Sequence, residues 1–151
     1  MLTTFKEYVK LLENLHDGIR QTLVDLPPEA LDWKAGPGMN SLGVLAAHTA
    51  GAERYWIGTV AGGDLLARNR DAEFETGGVG VDTLQAWLDE ALAHSKLTLA
   101  QLTPLHLDEI RIAPRDEREV TVAWALLHAL EHTALHLGHM QLTRQLWDNR
   151  E

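Results

Sequence analysis

The chain contains no cysteine. That absence removes disulfides, thiolate ligands and a cysteine nucleophile together, so any metal must be held by His, Asp or Glu. Long apolar runs are missing too: none approaches the ~20 residues that span a bilayer. The opening "MLTTFKEYVKLLENL" mixes charged and apolar residues at helical spacing and does not read as an export signal. The expectation is a cytoplasmic protein with no membrane partner. Positive charge is scarce, with 13 Lys and Arg against 22 Asp and Glu, a formal charge of −9, and the basic residues are scattered. A phosphate backbone would be repelled at long range, which argues against nucleic acid as a partner.

What is present is the composition of an ordinary globular domain. The 151 residues, 45% of them hydrophobic, are enough for one core, so residues 1–151 are read as a single domain. Leu2, Phe5, Val9, Leu12, Leu15 (or His16), Ile19 and Leu23 recur at three- and four-residue steps and predict an amphipathic helix over residues 3–26, stopped by Pro27-Pro28. The connection "PPEALDWKAGPGMN" reads as ordered, with Trp33 packed on the bundle. Asn40 and Ser41 are N-cap candidates for a second helix running to Gly62-Gly63.

The glycine-rich stretch that follows reads as a long surface loop with at most a helical turn. A third helix starts at Val81 or Asp82, presents Leu84, Trp87 (or Leu88), Ala91 (or Leu92), Ser95 and Leu99 on one face, and closes at Pro104. Residues 105–120 suggest an extended excursion or short hairpin before a fourth helix over residues 121–147. The expected fold is all-α: an antiparallel four-helix bundle with long connecting loops.

Three of the eight histidines fall in "ALEHTALHLGHMQL". Residues four apart on an α-helix differ by only ~40° around its axis, so His132 and His136 project side by side and can reach one ion. His128 and His139 extend the stripe within an arc of ~80°, but four residues on one straight helix cannot converge on a point. The outer pair would orient ligands, relay a proton or line a pocket. Trp124, Leu126, Leu127, Leu130, Leu135, Leu137, Met140, Leu142 and Leu146 make the helix apolar nearly all round, which predicts that it is buried. Buried imidazoles without partners would each forfeit ~1 to 3 kcal/mol, so a metal or a polar network is needed.

His48, in "SLGVLAAHTAGAERYW", is the natural third ligand, with Gly51 and Ala52 leaving open volume on the next turn and Tyr55 near the same cavity. Three histidines plus water make an open site for Zn, Ni, Mn or Fe. Imidazole coordinates only when neutral, so metal occupancy is expected to fall as pH drops toward ~6 and below. The alternative is a set of core histidines satisfied by ordinary hydrogen bonds.

The order of His48 in that segment and the downstream "EHTALHLGHMQL" resembles the DinB-like (YfiT-like) metalloprotein superfamily across essentially the whole chain. The resemblance implies a four-helix bundle that holds a divalent metal through His48, His132 and His136. Leu137 stands where that family often has Arg, and His139 where it often has Gln, while Gly138 is retained. Relatives include bacillithiol S-transferases and mycothiol-dependent maleylpyruvate isomerases. The implied function is thus a metal-dependent transfer of an exogenous low-molecular-weight thiol to an electrophile. Five tryptophans and a Gly/Ala-rich second helix in a small chain add the expectation of a homodimer.

Tyr55, Trp56 and Trp124 are candidates to wall the pocket. Two other functions stay open: a metal-dependent hydrolase, with Glu53 or Glu131 as possible bases, and a non-catalytic metal- or ligand-binding dimer. On an ideal helix both glutamates point away from the ligand direction, which favours solvated or capping roles. His16, His94 and His106 have no companion at ligand spacing and are given no site role.

Overall fold

A computed structural model describes residues 3–150; Leu2, the first member of the helix-one stripe, lies outside them. Four long helices form the bundle: α1 (Thr3–Leu23), α3 (Leu42–Glu53), α5 (Val81–Gln101) and α6 (Val122–Asp148). Two short helices sit in the connections, α2 (Pro28–Asp32) and α4 (Arg70–Phe74). After Glu53, α3 continues without a break as a π-helical segment, Arg54–Ala61. The pair α1 and α3 occupies one diagonal, each packing on both α5 and α6.

Local signals account for the ends. Ser41 Oγ accepts from the Val44 amide at 3.2 Å to start α3, and Thr121 Oγ1 accepts from Trp124 N at 3.0 Å to start α6. Helix α1 stops at Leu23, three residues short of the expected end, and Asp25 then turns the chain with φ of 58°. Its buried face runs through Tyr8 and His16, with Val9 only partly covered. On α5 the face runs through Leu88, and Trp87 stays 38% exposed. Residues 105–120 include a short antiparallel hairpin, β1 (Ile110–Ala113) and β2 (Arg118–Thr121), in the register Ile110↔Thr121 to Ala113↔Arg118. Trp33 meets the Trp147 ring edge-on at 5.8 Å, which ties the first connection to the end of α6.

The expectation that α6 is buried all round does not hold. Leu127 is 65% exposed, and Leu135, Leu142, Leu146 and Trp124 are exposed as well. The inward face is instead Val122, Ala125, Leu126, Ala129, Thr133, Met140 and Thr143. A helix at a bundle corner needs only one covered stripe, and small residues let α6 approach its neighbours along it.

The core has two apolar clusters. One gathers Phe5, Leu12, Tyr55, Trp56, Ile57, Leu99 and Leu126, the other Ile19, Leu31, Leu42, Leu45, Leu84, Leu88 and Met140. Along each long helix a buried polar residue separates members of the two: His16 on α1, Glu53 on α3, Ser95 on α5 and Thr133 on α6. His48 and His132 belong to the same middle stretch of their helices.

Candidate metal centre

Helices α3 and α6 bring His48, His132 and His136 together, with one ring nitrogen of each within 4.8 Å of the others. His132 Nε2 lies 3.1 Å from His48 Nε2 and 3.2 Å from His136 Nε2. Two nitrogens bound to one tetrahedral ion at about 2.0–2.1 Å would stand roughly 3.3 Å apart, so two of the three nitrogen pairs already have the spacing a divalent cation asks for, and the donor set fits one. Three imidazoles presenting the same ring atom to a common point are poorly served by hydrogen bonds among themselves, because each contact needs one donor and one acceptor. Burial, and then the neighbouring imidazoles, push His132 down to about 3 and His136 down to about 4, so both are neutral and competent to coordinate.

The opposite ring nitrogens differ in their surroundings. His48 Nδ1 donates to Glu73 Oε2 at 2.9 Å. His136 Nδ1 lies 3.3 Å from His139 Nδ1, so His139 can accept from it. His132 Nδ1 is buried with no hydrogen-bond partner among the described residues. Glu73 comes from α4, in the stretch expected to be a surface loop, and it had no place in the sequence reading. Its carboxylate is also gripped by Arg68, through Nε at 2.7 Å on one oxygen and Nη2 at 2.7 Å on the other. Burial pushes the Glu73 carboxyl up, but the hydrogen bonds from Arg68 and His48 outweigh it and hold the group below the usual carboxylate range. The space beside Gly51 is not open: a Cβ there would overlap the Glu73 carboxyl group.

His128 lies outside this group. Its ring stacks on Trp124 at 4.7 Å with 14° between planes, and it meets Trp56 edge-on at 4.9 Å. The Arg118 guanidinium covers both indoles, at 5.3 and 4.7 Å from their centroids. Burial lowers the His128 pKa, which keeps this stacked imidazole neutral. Trp56 is buried, so it supports the stack from below. Tyr55 lines a cavity of about 380 Å³ together with Arg68, Leu66 and Arg115. Its hydroxyl accepts from the Arg115 amide at 3.1 Å.

The two candidate bases part company. Glu53 is only 1% exposed, so the solvated or capping role expected for it is overturned. His16 Nε2 donates to its Oε2 at 2.6 Å, and Ser95 Oγ donates to its Oε1 at 2.7 Å. Glu131 is the solvated one, its side chain 80% exposed. His94 pairs with Asp64 at 2.8 Å, and His106 Nδ1 accepts from the Thr103 amide at 2.9 Å.

A family model for mycothiol-S-transferase matches residues 7–149. The chain belongs to the mycothiol-S-transferase family. The DinB-like resemblance carried by His48 and "EHTALHLGHMQL" agrees with that membership. Solved structures with the same fold include a conserved protein from Enterococcus faecalis, 18% identical, with a TM-score of 0.76 over 99% of this chain and 100% of the other. Another is a DinB-like protein from Bacillus cereus, 17% identical, with a TM-score of 0.77 over 95% of this chain and 92% of the other. A third is a mutant of a mycothiol-dependent maleylpyruvate isomerase, 13% identical, with a TM-score of 0.67 over 89% of this chain and 59% of the other. At these identities the likeness is one of fold. No curated protein matches the sequence significantly.

Proposed function

We propose that this member of the family is a divalent-metal-dependent thiol S-transferase in which His48, His132 and His136 hold the ion and the thiol is an exogenous low-molecular-weight one, mycothiol by the family's name. The observation that carries the reading is the convergence of three Nε2 atoms from two helices at 3.1 and 3.2 Å. A bound dication would lower the pKa of a thiol enough to supply thiolate near neutral pH. Zn, Ni, Mn and Fe all suit three imidazoles with open positions.

The protein's own residues supply position. The chain has no cysteine, so sulfur must come from the co-substrate. In the transfer the S–H bond is lost, a C–S bond forms at the electrophile, and the displaced group and the proton leave to solvent. His139 is exposed beside His136 and is placed to carry that proton outward. Tyr55 and Arg68 border a cavity, linked to the triad through the Arg68–Glu73–His48 contacts, that the electrophile or the body of the thiol would occupy.

The hydrolase alternative gains nothing from Glu53, whose two oxygens serve His16 and Ser95. In this reading residues 1–151 act as one domain in the cytoplasm, where such thiols are kept reduced. No helix among the described residues is long and apolar enough to cross a membrane. We also propose that the chain pairs with a second copy, covering the exposed Leu127, Leu135, Leu142 and Leu146 stripe of α6. Sedimentation equilibrium of wild type against Leu135→Lys tests the pairing.

The experiment for the function is plasma mass spectrometry of the purified protein beside a His48→Ala, His132→Ala double variant of confirmed fold, followed by a screen for conjugation of mycothiol to alkyl and aryl halides. Near-stoichiometric metal and turnover in the wild type, both lost in the variant, support the proposal. Absence of metal after reconstitution overturns it.

A further inference from the structure

The 62–80 connection sends one short helix, α4, back onto the ligand helix α3, and two of its side chains meet His48 there. Phe74 packs its ring against His48, centroid to centroid 4.8 Å. Glu73 Oε2 accepts from His48 Nδ1 at 2.9 Å. Arg68 holds both oxygens of that carboxylate at 2.7 Å. The Asn69 side chain caps α4 by accepting from the Ala72 amide at 3.1 Å, which sets the direction of the helix carrying Glu73. Side chains of His48, Arg68 and Glu73 are each no more than 11% exposed, so water does not compete for these bonds.

A carboxylate can only accept, and Arg68 can only donate. Both Glu73 oxygens accept from Arg68 and one of them also faces His48 Nδ1, so His48 carries its proton on Nδ1. The contact of 3.3 Å between Arg68 Nη2 and His48 Nδ1 is then a neighbouring approach of two donors and not a hydrogen bond. The Nε2 lone pair is left pointing at His132 and His136. Gly51, one turn after His48, provides the room, since any side chain there would strike the Glu73 carboxyl.

We propose that Glu73, clamped by Arg68, is the positioning residue of the metal centre: it fixes the tautomer and ring orientation of His48, and so couples docking of the 62–80 connection to metal affinity. The proposal rests on the metal reading given above. A ligand histidine that loses such a partner typically binds metal 10–100-fold more weakly, because its basicity and orientation are no longer set.

Zinc affinity by competition with a chromogenic chelator tests it in wild type, Glu73→Ala, Glu73→Gln and Gly51→Ala, with the exposed Glu75→Ala as the control in the same connection. Affinity is expected to fall about 10–100-fold in Glu73→Ala. It should fall less in Glu73→Gln, whose carbonyl can still accept, and it should fall in Gly51→Ala, which displaces the carboxylate without removing it. Glu75→Ala should bind as wild type does. Imidazole nitrogen NMR of the zinc form should show the His48 proton on Nδ1 in wild type, and thermal midpoints of the metal-free variants should agree within a few degrees. Equal zinc affinity in wild type and the three site variants overturns the role of Glu73 alone. Failure of the wild type to bind zinc overturns the metal reading and this proposal with it.

Discussion

His16 Nε2 and Glu53 Oε2 lie 2.6 Å apart at the centre of the bundle, joining the two helices that face each other diagonally, with Ser95 closing the remaining carboxylate oxygen. Neither side chain is more than 2% exposed. The same carboxylate, after burial itself, raises the pKa of Tyr8, whose hydroxyl donates to the Leu126 carbonyl at 2.5 Å.

Breaking this pair is expected to be expensive. Glu53→Ala or His16→Ala leaves one polar group buried without its partner, and each should destabilise the fold by about 3–5 kcal/mol. The double variant should cost clearly less than the two added together, because the orphaned partner is gone. Urea unfolding of the four proteins at pH 7 measures the cycle. Additive costs would show that the two residues act independently.

Capping is a smaller effect. Ser41→Ala and Thr121→Ala each remove an oxygen that satisfies an orphan amide at the start of a helix carrying part of the histidine triad, and each should cost about 1 kcal/mol, within the range of 0.5–2. The check is the shift of the thermal midpoint, which should be downward for both with the metal content unchanged.

The metal-free protein should lose stability in acid. His132 and His136 are neutral in the folded chain down to about 3 and about 4, whereas both take up protons near 6.5 once unfolded. Between those limits the unfolded state binds more protons, so the stability these residues contribute is complete above pH 6.5 and is lost as pH falls toward 4 and below. Calorimetry with a chelator present should show a falling midpoint through that window, with a shallower fall in His132→Gln, His136→Gln. The same shifts move proton uptake by these two histidines well below the pH of ~6 expected of free imidazole.

Gly62→Ala should destabilise by about 1–3 kcal/mol, because its Cβ would meet Thr98 Cγ2 at 2.6 Å and the Gly58 carbonyl at 2.7 Å, and backbone cannot yield as a side chain can. Gly63→Ala is strained for another reason, its φ of 81°, although no atom lies near its Cβ position. Denaturant midpoints for the two should both fall.

The bundle and the histidine triad were legible because both are written in short-range spacing: i,i+3 and i,i+4 steps place the four helices, and His132 and His136 share a face by helix geometry alone. Glu73 was not legible in the same way. It comes from a separate five-residue helix, 25 positions from His48, and the hint available was Gly51, which was read as free space when it is the seat of a carboxylate. The His16–Glu53 pair left a fainter trace. His16 interrupts an apolar stripe, a position that requires a buried partner, but helical periodicity could not say which acid would supply it. Helix α6 misled for the reverse reason, since its leucines mark an outer surface and its alanines and threonines the inner one.

The π-helical segment Arg54–Ala61 spans eight residues with wider turns than the α-helix that precedes it. It therefore takes up about one residue more than α turns of the same length would, and it carries the aromatic pair Tyr55 and Trp56 downstream of His48. A deletion of one residue within 54–61 that restored α geometry would leave His48 untouched and return the residues beyond Ala61 to nearly their present directions, because the wider turns hold about one residue more than α turns would. The π segment is thus where insertion or loss of one residue would re-aim Tyr55 beside the cavity it lines while the histidine triad and the far end of the helix keep their places.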